Sequence, residues 1–175
     1  MLIIFISGGP CTGKTSVINE LKRQGFTIIP EAAREIAAFD KQFSGKSIKN
    51  IDKENFQDEI FNFQKNIFDS LVDENGIFFS DRGLGDTIAY YKINNLEVPE
   101  YKFDFAKNFA NKQVFILEPL NFYNKDSLRQ ESQEEQKNIQ DEIVKTYAEL
   151  KYNVIMVPFM SVSKRVEFII GSLGS

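Results

Sequence analysis

Eight consecutive residues, Gly8-Gly9-Pro10-Cys11-Thr12-Gly13-Lys14-Thr15, satisfy the pattern Gly, any four residues, Gly, Lys, then Ser or Thr. These residue types dictate a chemistry. Glycines let the main chain curl until successive N–H groups converge on an anion. The N-terminus of a following helix adds partial positive charge. Lys14 can reach the terminal phosphates of a nucleotide, and the Thr15 hydroxyl is placed to hold Mg²⁺. The expected phosphate-binding set is Gly8, Gly9, Pro10, Cys11, Thr12, Gly13, Lys14, Thr15 and Ser16. Cys11 reads as a small tolerated residue rather than a redox switch.

Four further residues carry charge suited to phosphoryl transfer. Asp81 follows an apolar run, where a carboxylate commonly orders Mg²⁺ through water; the alternative is a surface Asp that caps the next helix. Arg82 beside it could neutralise phosphate charge, or pair with Asp81 or Asp86. Glu31 stands after a second short apolar run and could act on an acceptor hydroxyl. It reads equally well as a helix-dipole partner paired with Arg34 three residues on. Arg129 lies in a polar stretch and could swing over phosphates to stabilise charge in transfer, or simply be solvated. Lys14, Glu31, Asp81 and Arg129 are therefore the catalytic candidates, Thr15 and Asp81 the metal candidates, and Glu31, Arg34 and Arg82 the substrate contacts.

The elements around these residues must bring them together. Residues 2–6 form a continuous apolar run, the signature of a strand buried on both faces. Val17, Ile18 and Leu21 share a helical face, and Gly25 stops that helix. Strands are expected at residues 26–29, 77–80, 113–117 and 152–157. Helices are expected from Glu31 to Phe39, from about Lys53 to Asp73, over residues 84–94 and from Glu100 to Phe109. Phe56, Ile60, Phe63, Ile67 and Leu71 set the stripe of the long one, widened by Phe61, Phe68 and Val72. Leu84, Ile88, Tyr91 and Tyr90 should point inward from the next. Two more helices carry Ile139, Ile143, Val144, Tyr147 and Leu150, and Val162, Val166, Ile169 and Ile170. Residues 40–51 and 121–135 read as polar connections. Strands alternating with helices imply right-handed crossovers and a parallel sheet covered on both faces. Ligands of such sheets bind beyond the carboxyl ends of the strands, where all the candidate residues fall.

Composition narrows the chemistry. A chain of 175 residues suits one domain with a substantial core. Seventeen Phe and no Trp predict a core packed with Phe rings. The net charge of −4 offers no basic field for nucleic acid. One Cys excludes internal disulfides and fits a reducing compartment. Without histidine, every mechanism needing imidazole is excluded; phosphoryl transfer can do without it. The N-terminal apolar run is too short to span a bilayer and has no basic flank, so a cytoplasmic protein without membrane partner is expected.

The chain resembles small AAA-like P-loop ATPases and kinases related to the nicotinamide-riboside kinase domain of bifunctional NAD-biosynthesis proteins. The resemblance rests on the residue 8–15 loop, on Pro30-Glu31-Ala32-Ala33-Arg34-Glu35-Ile36 and on Asp81-Arg82-Gly83-Leu84-Gly85-Asp86-Thr87. It extends to Arg129-Gln130-Glu131-Ser132 and to the segment from Val157 to Val166. It implies an α/β P-loop NTPase three-layer sandwich with a five-stranded parallel sheet of order 2-3-1-4-5. It also implies ATP and Mg²⁺, a lid at about residues 120–135, and Glu31 acting on the acceptor hydroxyl. Two functions stand side by side: a kinase for a nucleoside-like hydroxyl, and an ATPase or nucleotide-dependent switch without such an acceptor. A GTPase is disfavoured, since Asn124-Lys125-Asp126-Ser127 ends in Ser where guanine recognition needs Asp, and Leu84 replaces the glycine of Asp-x-x-Gly.

Overall fold

The structure, a computed structural model, describes residues 2–39, 51–109, 112–120 and 133–174. Strand β1 (Leu2–Ser7) leads through the glycine loop into α1 (Lys14–Arg23). Then follow β2 (Thr27–Ile29), α2 (Ala32–Phe39), α3 (Lys53–Ser70), β3 (Ile77–Asp81), α4 (Leu84–Ile93) and α5 (Glu100–Asn108). β4 (Gln113–Leu117), α6 (Gln133–Glu149), β5 (Asn153–Val157) and α7 (Val162–Gly171) complete the order, with a short 3-10 turn at Ser172–Gly174. All strand pairings are parallel, in the order β2-β3-β1-β4-β5.

Side-chain alternation along β1 divides the core. Ile3 and Phe5 face one side of the sheet and Ile4 and Ile6 the other, all fully buried. Ile4 and Ile6 pack with Val17 and Leu21 of α1 and with Val166 and Ile169 of α7. Ile3 and Phe5 pack with Phe61 and Phe68 of α3, Leu84 and Ile88 of α4, Ala106 of α5 and Tyr147 of α6. The Phe5 ring lies 5.7 Å from Phe68 and 5.9 Å from Phe109 and Tyr152, a Phe-rich centre as composition implied. Each such ring removed from water stabilises the fold by about 1.5–3 kcal/mol. A buried lysine ties the outer helices together: Lys102 of α5 donates to Asp58 of α3 and to the Tyr91 hydroxyl of α4.

Two expectations need correction. Helix α3 ends at Ser70, because the Leu71 N–H turns back to the Phe68 carbonyl; Val72 lies beyond the helix and is 62% exposed, so it does not widen the stripe. Tyr90 is only half-buried, with its ring 5.6 Å from the Arg82 guanidinium. The α3 start is set by Asp52, whose carboxylate accepts from the Glu54 and Asn55 N–H groups. Residues 40–50 of one expected connection and 121–132 of the other, Arg129 included, lie outside the described residues.

Register positions the site. Ile6 of β1 pairs with Asp81 of β3, and Ser7 with Ile116 of β4, so the phosphate loop leaves the sheet beside Asp81 and the end of β4. The Arg82 N–H donates to the Ile6 carbonyl, extending the ladder one residue. β2 ends one residue before Pro30, which delivers Glu31 to the same edge.

Candidate active site: the phosphate loop and its rim

Three residues of the loop adopt positive φ: Gly8 (137°), Cys11 (60°) and Gly13 (83°). At Gly8 nothing larger fits, since a Cβ would lie 2.9 Å from the Leu117 carbonyl oxygen. Gly13 caps α1 in the left-handed region and starts the helix at Lys14. Lys14 arches back over the loop, donating from Nζ to the Gly8 and Gly9 carbonyls at 2.8 and 2.7 Å. Burial, followed by the nearby Arg82 charge, pushes its pKa down to about 7 despite Asp86, Asp81 and Glu31. Thr15 and Ser16 are exposed at the start of α1.

Buried side chains from outside the motif hold the loop. Gln140 of α6 accepts from the Gly9 N–H at 2.5 Å and donates to the Leu117 carbonyl at 3.2 Å. Arg165 of α7 donates to the Thr12 carbonyl at 2.6 Å. Neither residue had a role assigned from sequence, because no local pattern links positions more than a hundred residues apart.

Asp81 is the last residue of β3 rather than the first beyond it, and it is buried. Its Oδ1 is shielded from solvent and accepts no hydrogen bond. Burial, reinforced by the Glu31 charge, raises its pKa to about 6. An orphaned carboxylate oxygen beside a phosphate loop fits a hard cation. Among the described residues no cluster of three or more His, Cys, Asp or Glu could hold a metal.

Glu31 has both oxygens engaged. Oε1 accepts from Arg82 Nε at 2.8 Å and Oε2 from Arg34 Nε at 2.7 Å. Burial works to raise its pKa, but Arg82, Arg34 and Lys14 outweigh it and hold the group below the usual carboxylate value. The Arg34 pairing foreseen as the alternative role for Glu31 is present, and Arg82 joins it. Arg82 pairs with Asp86 as well (3.1 Å) and reaches the Gly8 carbonyl at 3.4 Å.

Asp86, considered from sequence only as a partner of Arg82, is the hub beneath the rim. It is 1% exposed and accepts from Ser7 Oγ and the Tyr147 hydroxyl, each at 2.7 Å, and from the Gly83 N–H at 3.0 Å. Tyr147 gets this close because Gly85 has no side chain: a Cβ there would lie 2.4 Å from the ring. Sequence periodicity marked Tyr147 only as core. The i, i+4 spacing of Arg82 and Asp86 was the one local signal for this network.

Beside the hub opens a cavity of about 760 Å³. Glu31, Arg82 and Asp86 are among its lining residues, with Phe56, Gln57, Ile60 and Gln64 of α3 and Tyr90 of α4. Gln64 accepts from the Thr87 hydroxyl at 2.9 Å, while Gln57 Oε1 is buried without a hydrogen-bond partner. Arg82 is the lining residue that also reaches the loop, at the Gly8 carbonyl. Among the described residues no helix is long and apolar enough to cross a membrane.

Known structures share this architecture. NadR in complex with NAD and AMP-PNP matches with a TM-score of 0.69 at 18% identity, over 98% of this chain and 48% of that one. The chain thus spans about half the length of the NadR chains it matches. Deoxyadenosine kinase from M. mycoides, with products dCMP and dCDP bound, matches at 0.63 and 17% identity over 99% of both chains. Shikimate kinase from Aquifex aeolicus matches at 0.58 and 20% identity, over 99% of this chain and 96% of that one. These likenesses show that the chain shares the five-stranded parallel α/β fold of those structures. No curated protein matches the chain in sequence. The family model described as AAA domain matches residues 3–165, and the chain belongs to that family.

Proposed function

We propose that the protein binds ATP with Mg²⁺ in the residue 8–15 loop and transfers the terminal phosphoryl group to a hydroxyl of a nucleoside-like small molecule in the adjoining cavity. One observation carries this reading: Glu31 and Arg82 line the cavity while Arg82 also touches the phosphate loop at the Gly8 carbonyl. A cavity of about 760 Å³ lies within the size range of small-molecule sites.

In this reading the loop N–H groups and Lys14 hold the phosphates, and Lys14 exchanges the Gly8 and Gly9 carbonyls for phosphate oxygens. Thr15 and Asp81 hold Mg²⁺, which when bound neutralises charge on the phosphates. Glu31 stays ionised at neutral pH. It accepts the hydrogen bond of the acceptor hydroxyl, with Arg34 or Arg82 yielding one carboxylate oxygen. Its depressed pKa suits it to orienting the hydroxyl more than to removing the proton early. Arg82 faces the developing charge.

The engagement of both Glu31 oxygens by arginines favours a second reading, an ATPase or switch in which Glu31 only fixes Arg82. A stability screen separates them. Nucleosides and vitamin ribosides are added with and without Mg²⁺–AMP-PNP, and thermal unfolding is followed. A riboside that stabilises the protein only alongside the nucleotide supports the kinase. Stabilisation by nucleotide with no riboside effect supports the switch.

A further inference from the structure

The segment from Val157 to Val166 belongs to the resemblance, yet the proposed chemistry gives it no task. Its one fully buried charge is Arg165, 1% exposed. The guanidinium divides its donors among three separate main-chain segments. Nη1 donates to the Thr12 carbonyl of the loop (2.6 Å), Nη2 to the Glu118 carbonyl after β4 (3.0 Å) and Nε to the Pro158 carbonyl after β5 (3.2 Å). The Phe159 ring lies 5.7 Å from it. An arginine so occupied and so buried cannot swing out to a phosphate. Its effect must pass through the groups it holds.

We propose that Arg165 is a positioning residue that orients the Thr12–Gly13 peptide so that the Gly13 N–H faces the bound phosphates. The inference rests on nucleotide binding in the loop. The physical basis is the planarity of the peptide unit. No cis bond occurs among the described residues, so the Thr12 carbonyl and the Gly13 N–H point in opposite directions. Fixing the carbonyl toward α7 fixes the N–H away from it. Gly13, at φ 83°, sits where the main chain would otherwise have most freedom to turn this peptide over. A cationic donor at 2.6 Å also polarises the carbonyl and makes the N–H of the same unit a stronger donor. Burying a guanidinium is unfavourable, and three good carbonyl acceptors offset that only while all three stay in place. Lysine cannot reproduce this. Its compact ammonium lacks the planar fork that spans three divergent carbonyls.

The test uses the full chain, with Arg165→Lys and Arg165→Ala beside the parent. Each is titrated calorimetrically with inorganic pyrophosphate and with Mg²⁺–ATP, the Gly13 amide is followed by ¹⁵N–¹H NMR, and unfolding is measured without ligand. The parent should bind both, with a downfield shift of the Gly13 amide. Arg165→Lys should fold, yet bind pyrophosphate about tenfold or more weakly, the scale of one lost charge-assisted contact. Its Gly13 amide should not move on addition. A role confined to stability predicts a lower unfolding midpoint with unchanged affinity and an unchanged Gly13 shift, and that result overturns the inference. If Arg165→Ala does not fold, Arg165→Lys alone decides. Failure of the parent to bind either ligand overturns the nucleotide reading and this inference together. Binding by the parent with equal binding by a folded variant overturns this inference alone.

Discussion

Nucleotide binding at this site should take up a proton, and the group that accepts it is Lys14. Burial and the Arg82 charge push its amine down to about 7. At pH 8 only about a tenth of the molecules then carry the charge, about half at pH 7 and about nine-tenths at pH 6. Terminal phosphate oxygens replacing the Gly8 and Gly9 carbonyls favour the ammonium and restore the proton. The uptake per nucleotide bound is therefore about 0.9 proton at pH 8, falling to about 0.1 at pH 6. Above pH 7 the affinity should drop by up to about tenfold per pH unit. Asp81, raised only to about 6, is already ionised at pH 8 and does not confuse the measurement. Calorimetric titration with Mg²⁺–ATP at pH 8, in buffers of different ionisation enthalpy, reads the uptake as the slope of observed enthalpy. Lys14→Met should lose both the slope and most of the affinity. An enthalpy independent of buffer in the parent, or an equal slope in Lys14→Met, would refute the assignment.

Two further outcomes follow from the geometry. Asp81→Asn should stabilise the protein at pH 7.5 in chelator: the folded pKa of about 6 exceeds the ordinary 3.8, so the stability linked to this group is complete below pH 4 and lost as pH rises through 6. The gain should be about 2–3 kcal/mol at pH 7.5 and near zero at pH 4 by urea denaturation, while the same variant weakens Mg²⁺-dependent nucleotide binding; a parent more stable than the variant at pH 7.5 sinks the assignment. Gly85→Ala places a Cβ 2.4 Å from the Tyr147 ring, and forcing that ring away also breaks its bond to buried Asp86. Overpacking and the lost bond together should cost about 3 kcal/mol, roughly 6–12 °C in the unfolding midpoint, and a midpoint within 2 °C or so of the parent's would contradict the packing described.

How much of this was legible in the sequence depends on the range of each interaction. β4 fell at residues 113–117 as expected, because its apolar run is bounded on both sides by polar residues or proline. The turn of the residue 8–15 loop and the helix start at Lys14 were legible because glycines and adjacent residues set them. Placing Glu31 and Arg82 on one rim followed from the rule for parallel sheets, and the pair meets at 2.8 Å. Their bond to each other was not foreseen, since fifty-one residues separate them. The same holds for Gln140, Tyr147 and Arg165, of which the sequence pattern marked only Tyr147, as a core ring. Tertiary packing turned each inward. Asp81 differed by one position, because the β1 ladder carries β3 through it to the Arg82 N–H. Val72 misled by periodicity alone, which does not register the turn at Leu71.

The most direct test of the central claim is a single-turnover transfer assay with γ-labelled ATP. It compares the parent and Glu31→Gln on an acceptor that stabilises the protein only with nucleotide. Glutamine keeps the size and hydrogen-bonding capacity of the side chain and removes its charge, so ATP binding should survive while label transfer to the acceptor falls about a hundredfold or more. Transfer at the parent rate by Glu31→Gln would contradict a catalytic role for Glu31. Label released only as inorganic phosphate, at one rate with or without any acceptor, would contradict the kinase itself.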